Sequence, residues 1–341
     1  METSLRPLTL GEILDRTAQL YRTNFVLFAG IFSIYAGVAL VLNLMLIGLG
    51  LAVKSLQGAQ HRNLVTFGGS VVELLILFLL AGASVAAVSR AVAWLHLGER
   101  ATIRGAYSSV LPRLRRYIWL MTITAFVVWT PIALLYCGYF GALVYYGRGI
   151  SAHAATPAQH MAAVGPQTVY ILGATVAFGL LILPIAAYTI FMALRYALAL
   201  PACVVEDLDA RASLRRAVEL SKGSRGRIFV LGLLVGIIKI GLVGLTQIFI
   251  VIAAFKQHGH LGPGQTALSQ VIEFFTTSFL GPIYAAGITL FYYDQRIRKE
   301  GFDIEWMMQA AGLTVPPPAA ALPPAAEAIA EPTPEPSGDT E

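Results

Sequence analysis

Charged side chains are scarce in this sequence. Of its 341 residues, 13% are charged and 57% are hydrophobic, and the mean hydropathy is +0.70. Soluble domains carry about 25% charged and roughly 45–50% apolar residues. Because a soluble fold cannot bury that much apolar surface, the composition excludes a soluble protein and predicts an all-α, polytopic membrane protein.

Cysteine and catalytic motifs are scarce as well. The two cysteines, Cys137 and Cys203, exclude a disulfide scaffold, and no CxxC run suggests structural zinc. The sequence has no GxSxG, HExxH or P-loop motif, and no GxGxxG that opens a helix after a strand. Its net charge of +5 is too small and too scattered to indicate nucleic-acid binding. We therefore expect no catalytic site, no cofactor and no nucleic-acid partner.

Acidic residues are missing from the first, third and fifth loops between the apolar stretches. Of the five histidines in these loops, four could in principle hold a metal ion on one face of the membrane: His153, His160, His258 and His260. A zinc site also needs groups that orient the ligating imidazoles, and carboxylates are the common choice. We therefore expect these histidines to be ordinary polar loop residues and predict no metal site.

Six apolar stretches are long enough to cross a bilayer, which needs about 20 residues in helical form. They lack the polar stripe of a helix in a soluble core, so a buried core helix is a poor alternative. Residues 25–293 are thus predicted to form a transmembrane domain of six helices. The stretches are Phe25–Val53, Leu64–Leu95, Ile118–Tyr146, Thr168–Leu200, Ile228–Phe255 and Val271–Tyr293.

Lysine and arginine alternate between two sets of loops. Seventeen lie before the first span, in the second and fourth loops, and directly after the sixth span, whereas the other three loops hold four. Positively charged loops stay in the cytoplasm, so both termini are predicted to be cytoplasmic in a multi-pass protein of the plasma (inner) membrane. We expect no cleavable signal peptide, because the first apolar run is too long for one.

Each basic segment that precedes an odd-numbered span has the same layout. A hydroxyl residue (Thr9, Thr102 or Ser213) starts an amphipathic stretch of about a dozen residues, and an apolar run follows. This repetition predicts three units, each a cytoplasmic interfacial amphipathic helix followed by a transmembrane hairpin. The first such helix occupies residues 1–24. The alternative is that any basic loop beside a membrane has this pattern.

The starts of two of these helices carry further local signals. Thr9 and Glu12 are spaced as a capping box, in which each side chain binds the backbone amide of the other residue. Pro112 follows ten residues after Thr102 and predicts that the second amphipathic helix kinks or ends early.

The sequence changes character after the sixth span. Residues 294–313 combine a charged run with Phe302, Trp306 and Met307, and they predict a cytoplasmic interfacial segment. Residues 314–341 hold eight of the seventeen prolines, five acidic residues, and no basic or aromatic residue. Such a composition cannot form a core, so this tail is predicted to be disordered.

Three stretches resemble a family of uncharacterised prokaryotic membrane proteins. They read LTLGEILDR with LYRTNF from Leu8, RYALALP through SLRRA from Arg195, and YYDQRIRKEGFD from Tyr292. The family is labelled glycerophosphoryl diester phosphodiesterase membrane domain, and the resemblance extends from residue 8 to about residue 308. The label comes from enzymes in which this membrane part precedes a hydrolase domain. Since no segment here fits that domain, the resemblance implies the membrane part without the activity.

Three charged residues inside the spans are the candidate site residues: Lys239, Glu273 and Glu73. Lys239 lies about eleven residues into the fifth span, where a lysine costs about +2.5 to +3.5 kcal/mol on insertion scales. We therefore predict that Lys239 faces the bundle interior and is drawn toward a carboxylate, with Glu273 preferred over Glu73. The alternative is that backbone carbonyls and water hold the lysine, or that it is neutral.

Two classes of function remain. The absence of catalytic motifs favours a non-enzymatic scaffold or accessory subunit that binds other membrane proteins or lipid. The alternative is a transporter or flippase-like protein for a lipid or small amphiphile. Its support is Lys239, the acidic residues near the outer ends of spans (Glu73 and Glu273) and the prolines within spans (Pro131, Pro184 and Pro282). The expected partners are the lipid bilayer and other membrane proteins. A water-accessible pocket at Lys239 would favour transport, and a closed bundle would favour a scaffold.

Overall fold

The computed structural model of the protein describes residues 8–53, 59–152, 157–256 and 263–301. Within these ranges the chain is helical and contains no strand. The α-helices are α1 (Leu10–Thr23), α2 (Phe25–Val53), α3 (Ala59–His96), α4 (Ile103–Val110), α5 (Leu114–Ala152), α6 (Pro157–Tyr196), α7 (Ala199–Val205), α8 (Ala210–Ser221), α9 (Arg225–Lys256) and α10 (Pro263–Glu300).

Six of these helices (α2, α3, α5, α6, α9 and α10) are long and apolar enough to cross a membrane. The prediction of an all-α, multi-pass integral membrane protein is therefore confirmed. The helices run without interruption through Pro131, Pro184 and Pro282. The last helix continues seven residues past the predicted end of the sixth span, Tyr293, so the charged run after it belongs to α10.

The predicted threefold layout is also confirmed. Each of α1, α4 and α8 is short and amphipathic and precedes a pair of long helices: α2 and α3, α5 and α6, and α9 and α10. An additional short helix, α7, lies between the second pair and α8. The predicted fourth span includes the first two residues of α7, Ala199 and Leu200, but the chain leaves helical geometry at Leu198 and turns before α7 begins.

The first two short helices begin as their sequences predict. Thr9 and Glu12 form a complete capping box at the start of α1. Thr102 caps α4, since its hydroxyl accepts a hydrogen bond from the Gly105 amide. After Val110 the chain tightens into a 3-10 turn that contains Pro112, so the second helix ends early as predicted.

The predicted start of the third short helix, Ser213, is wrong. The helix begins at Ala210, three residues earlier, and Asp209 occupies the capping position without a side-chain bond to the helix amides. The Asp209 carboxylate instead lies 3.8 Å from the Arg116 guanidinium. Ser213 is fully buried, and its hydroxyl donates to the Asp209 carbonyl oxygen at 2.8 Å. Its role is to fix the first turn of α8 from inside.

The core lies at one end of the bundle, where α1, α4, α7 and α8 meet the long helices; we call this the basic end and the opposite end the far end. One contiguous cluster there buries residues of all four short helices, among them Ile13, Ala106, Ala202 and Ala217. The apolar faces of the short helices are therefore covered by protein.

The last helix is the central element of the bundle. It packs against α1, α2, α3 and α9. Of its most apolar 18-residue stretch, 56% is buried inside the protein. Gly281 permits its close approach to α2, because a Cβ atom at this position would lie 2.3 Å from the ring of the buried Phe32.

The second hairpin is much less covered. No residue in the most apolar 18-residue stretch of α6 is buried inside the protein. In their far halves α5 and α6 pack on each other through aromatic rings, such as Tyr139 on Phe178 with centroids 4.5 Å apart. At the basic end they contact the remaining helices through α3, α7, α8 and α9.

Candidate functional site

The strongest polar feature of the described residues is a pair of ion-pair clusters at the basic end. The first, which we call the Glu206 cluster, lies where α7, α8 and α10 meet. Glu206 accepts hydrogen bonds from the Arg216 Nε atom and from the Tyr292 hydroxyl. Arg216 also pairs with Glu300 at 2.6 Å, and Arg296 lies 3.1 Å from Glu300. Two carboxylates and two guanidiniums thus join three helices.

Arg216 is the centre of this cluster. Burial disfavours its charged form, but hydrogen bonds with Glu300 and Glu206 outweigh that effect and raise the pKa of the guanidinium above its ordinary value. Removing either carboxylate would leave a partly buried positive charge without its partner, which is the costly way to break a salt bridge.

The second group, the Asp294 cluster, holds the start of α1 against α10. The Asp294 side chain has no exposed surface, and its two oxygens accept from the Leu8 amide at 2.7 Å, from Arg298 at 2.9 Å and from Arg227 at 3.3 Å. The same two arginines donate to the Leu8 carbonyl oxygen. One buried carboxylate therefore joins the first described residue to α9 and α10.

Two further contacts complete the basic end. The Lys299 ammonium donates to three carbonyl oxygens at the end of α8, those of Glu219, Leu220 and Lys222. A cation at this position satisfies carbonyls that the helix leaves unpaired. Asp207, with φ at 58°, turns the chain between α7 and α8 and binds Arg116 through its carboxylate at 2.7 Å.

A cleft of about 780 Å³ opens beside these clusters, between the first turns of α5 and of α8. We call it the basic cleft. Its residues are Arg115, Arg116, Ile118, Trp119, Asp209, Ala210, Arg211, Ala212 and Arg215. Four arginines therefore face one carboxylate.

Several arginines at the basic end bind carboxylates: Arg113, Arg116, Arg216, Arg227, Arg296 and Arg298. In contrast, Arg115, Arg211 and Arg215 are exposed and have no ion pair or hydrogen bond within the described part of the chain. The basic cleft thus brings three arginines without carboxylate partners together.

The structure places one predicted site residue, Glu273, at a small pocket in the far half of the bundle, and a second, Glu73, binds a residue of its wall. Glu73 accepts from the Asn43 amide at 2.5 Å, and Glu273 accepts from the Thr277 hydroxyl at 3.0 Å. Asn43 and Glu273 both line a pocket of about 160 Å³ between α2, α3 and α10. The far half therefore contains a polar group of two carboxylates with hydrogen-bonding neighbours.

The predicted burial of Lys239 is wrong for the single chain. Its spacing from Ile228, Gly232 and Val235 places it on the face with which α9 meets α10. Among the described side chains of α9, however, Leu231 is the last buried one, and Lys239 is exposed. Within the described ranges it has no ion pair, and neither carboxylate above binds it. The described part of the chain therefore leaves Lys239 uncovered.

The histidines considered for metal binding lie outside what is described here. His153, His258 and His260 are not among the described residues, and neither is the side chain of His160. Within the described ranges no group of three or more His, Cys, Asp or Glu side chains could hold a metal ion.

Sequence reasoning missed both clusters. Asp294 and the arginines after it were interpreted as a charged exit from the membrane, and Glu206 was only part of a family-like motif. That motif and the YYDQRIRKEGFD stretch are the sequence features that indicate the clusters, because acidic residues set among basic ones at a helix end are typical of ion pairs.

Comparison of the chain with known protein families, with curated proteins and with solved structures gives no match. The resemblance to the phosphodiesterase membrane-domain family stays a prediction.

Proposed function

We propose that the protein is a non-enzymatic scaffold or accessory subunit of the plasma (inner) membrane, with its basic end in the cytoplasm. The observation that carries the proposal is the pair of clusters around Asp294 and Glu206. They join α1, α7, α8, α9 and α10 into one block that can present a fixed surface to other membrane proteins or to lipid. The arginine-rich loops at this end support its cytoplasmic placement.

A transporter is the second candidate. Its support is the polar pocket in the far half, where Asn43, Gln270, Glu273 and Thr277 could hold a polar group of a substrate. Lys239, the residue on which the transport hypothesis mainly rested, does not line this pocket or the basic cleft. Alternating access would also require the basic end to open, which would break ion pairs that are partly or fully buried.

The distinguishing experiment measures distances at both ends. In a Cys137→Ser background, spin labels are attached to two pairs of exposed positions: Ser108→Cys with Glu219→Cys at the basic end, and Tyr145→Cys with Leu268→Cys at the far end. A scaffold predicts one narrow distance population at the basic end, with or without a proton gradient in proteoliposomes. Two populations there that exchange weight with the gradient would contradict the scaffold proposal and support transport.

A separate experiment tests on which side of the membrane the basic end lies. In intact cells, a membrane-impermeant thiol reagent should label Ser151→Cys, in the third loop of the sequence, and leave Ser108→Cys unlabelled until the membrane is opened. Both positions lie outside the six apolar stretches, so labelling reports the side of the membrane on which each lies. Labelling of Ser108→Cys in intact cells would overturn the placement of the basic end in the cytoplasm.

A further inference from the structure

We propose that the basic cleft binds the headgroup of an anionic phospholipid from the cytoplasmic leaflet. The proposal deepens the scaffold function by naming a lipid ligand. It rests on that function only for the placement of the basic end at the membrane surface.

The first argument is charge. Arg115, Arg211 and Arg215 line one cleft and bind no carboxylate among the described residues. Guanidinium groups bind phosphate oxygens through two parallel hydrogen bonds, and this geometry makes arginine a common choice for phosphate recognition. The positive end of the α8 dipole faces the same space. An anion with several oxygen acceptors would relieve the repulsion among these side chains.

The second argument is the position of the cleft relative to the membrane. Its wall includes Ile118 and Trp119, where the apolar part of α5 begins, and the Trp119 side chain is 57% exposed. Tryptophan is enriched at the level of lipid headgroups. The guanidiniums therefore lie where the phosphates of the adjacent leaflet would be.

The third argument is an exposed aromatic stripe that continues from the cleft into the span. Trp119, Phe126 and Trp129 follow one another at intervals of seven and three residues on α5, and all three are more than half exposed. A free anion would contact only the arginines. A phospholipid would place its headgroup among the arginines and its acyl chains along this stripe, so the combination favours a lipid over a soluble phosphate.

The cleft is also large enough. Its volume of about 780 Å³ lies within the roughly 300–1,000 Å³ typical of sites for small ligands. Arg116 contributes less than its neighbours, because Asp207 already binds it. The three arginines without partners are thus the residues to change.

The experiment uses the full chain in phosphatidylcholine nanodiscs that contain a minor fraction of phosphatidylglycerol. After transfer to mild detergent, native mass spectrometry measures the ratio of the two lipids retained by the protein. The cleft variant is R115Q/R211Q/R215Q, and the matched control is R22Q/R100Q/R104Q, which removes the same charge from exposed positions at the same end.

We expect the wild-type protein to retain phosphatidylglycerol preferentially. That preference should fall about ten-fold in the cleft variant and less than about two-fold in the control, because only the cleft arginines line one cleft and can bind one headgroup together. The thermal stability of both variants should match that of the wild type, since all six arginines are exposed.

Three results would overturn the proposal: a cleft variant that keeps the wild-type preference, a control that loses as much as the cleft variant, or displacement of the lipid by millimolar glycerol 3-phosphate. The last result would identify a soluble anion as the ligand. None of these outcomes changes the spin-label distances, so the lipid site can fail while the scaffold proposal stands.

Discussion

The two ends of the bundle differ in what covers their side chains. At the basic end Ile13, Tyr117 and Tyr292 are completely buried, whereas Phe140 and Leu172 at the far end are more than half exposed. Lipid covers apolar side chains about as well as protein does, so packing at the far end gains little hydrophobic free energy. Charged side chains and the ends of short helices cannot be left in lipid, and they need protein or water partners.

The comparison implies that the stability of the fold is concentrated at the basic end. Substitutions there should be costly, and substitutions of exposed residues along the spans should be nearly neutral.

The largest effect is expected for Asp294→Ala. This change leaves Arg227, Arg298 and the Leu8 amide without their buried acceptor. Breaking a buried pair by removing one partner costs about 3–5 kcal/mol. Thermal unfolding in detergent should therefore shift strongly downward, and Asp15→Ala, which removes an exposed carboxylate from α1, should have little effect. Equal stability of the two variants would show that the Asp294 cluster does not hold the basic end together.

The next effect concerns the contact between α10 and α2. Gly281→Ala places a methyl group against the Phe32 ring, and overpacking of this kind costs about 1–3 kcal/mol. The matched control is Gly138→Ala on α5, where a Cβ atom meets nothing within 4 Å. Chemical unfolding should separate the two variants. If the Gly281→Ala protein is as stable as the control, α10 and α2 can move apart without a loss of free energy of unfolding.

A smaller effect is expected at the start of α1. Thr9→Ala removes the hydroxyl that accepts from the Glu12 amide, and loss of such a cap costs about 0.5–2 kcal/mol. Thr9→Ser keeps the hydroxyl and should restore stability. If hydrogen exchange of the amides in the first turn of α1 is unchanged in Thr9→Ala, the cap does not contribute.

The smallest effect is expected for Lys239→Leu. The lysine is exposed and without a partner among the described residues, so the free energy of unfolding should change by no more than about 0.5 kcal/mol. The unfolded chain within the membrane also exposes this position to lipid. The cost of placing the lysine there is therefore the same in the folded and unfolded states and cancels from the free energy of unfolding. A marked loss of stability would place Lys239 in a contact that the isolated chain lacks, for example with a partner protein.

Local and periodic features of the fold could be predicted from the sequence. The six spans follow from apolar length, and the caps at Thr9 and Thr102 follow from residues within one helical turn. The local pairs of the clusters, such as Asp294 with Arg298, lie within one helical turn. The pairs that join different helices could not be predicted, because their partners are far apart in the chain: Leu8 and Asp294 are separated by 286 residues, and Arg216 and Glu300 by 84.

Lys239 shows a second limit of prediction from periodicity. Spacing identifies the face of α9 that carries this residue, but it does not say how far along the helix a neighbour continues. In a soluble protein an uncovered apolar face would be unstable, so face and burial coincide. In lipid, a side chain can lie on the face that points toward a neighbouring helix and still remain uncovered by protein.

The most direct test of the difference between the two ends is a pair of double-mutant cycles in one membrane mimetic. One cycle combines Glu206→Gln with Arg216→Gln at the basic end, and the other combines Glu73→Gln with Asn43→Ala in the far half. Side-chain hydrogen bonds within membranes average about 0.6 kcal/mol, and contacting residues in a salt-bridge network reach about 3 kcal/mol. The account predicts a coupling free energy at least about 1 kcal/mol larger for the Glu206 pair. A coupling that is equal in the two cycles, or larger in the far half, would contradict it.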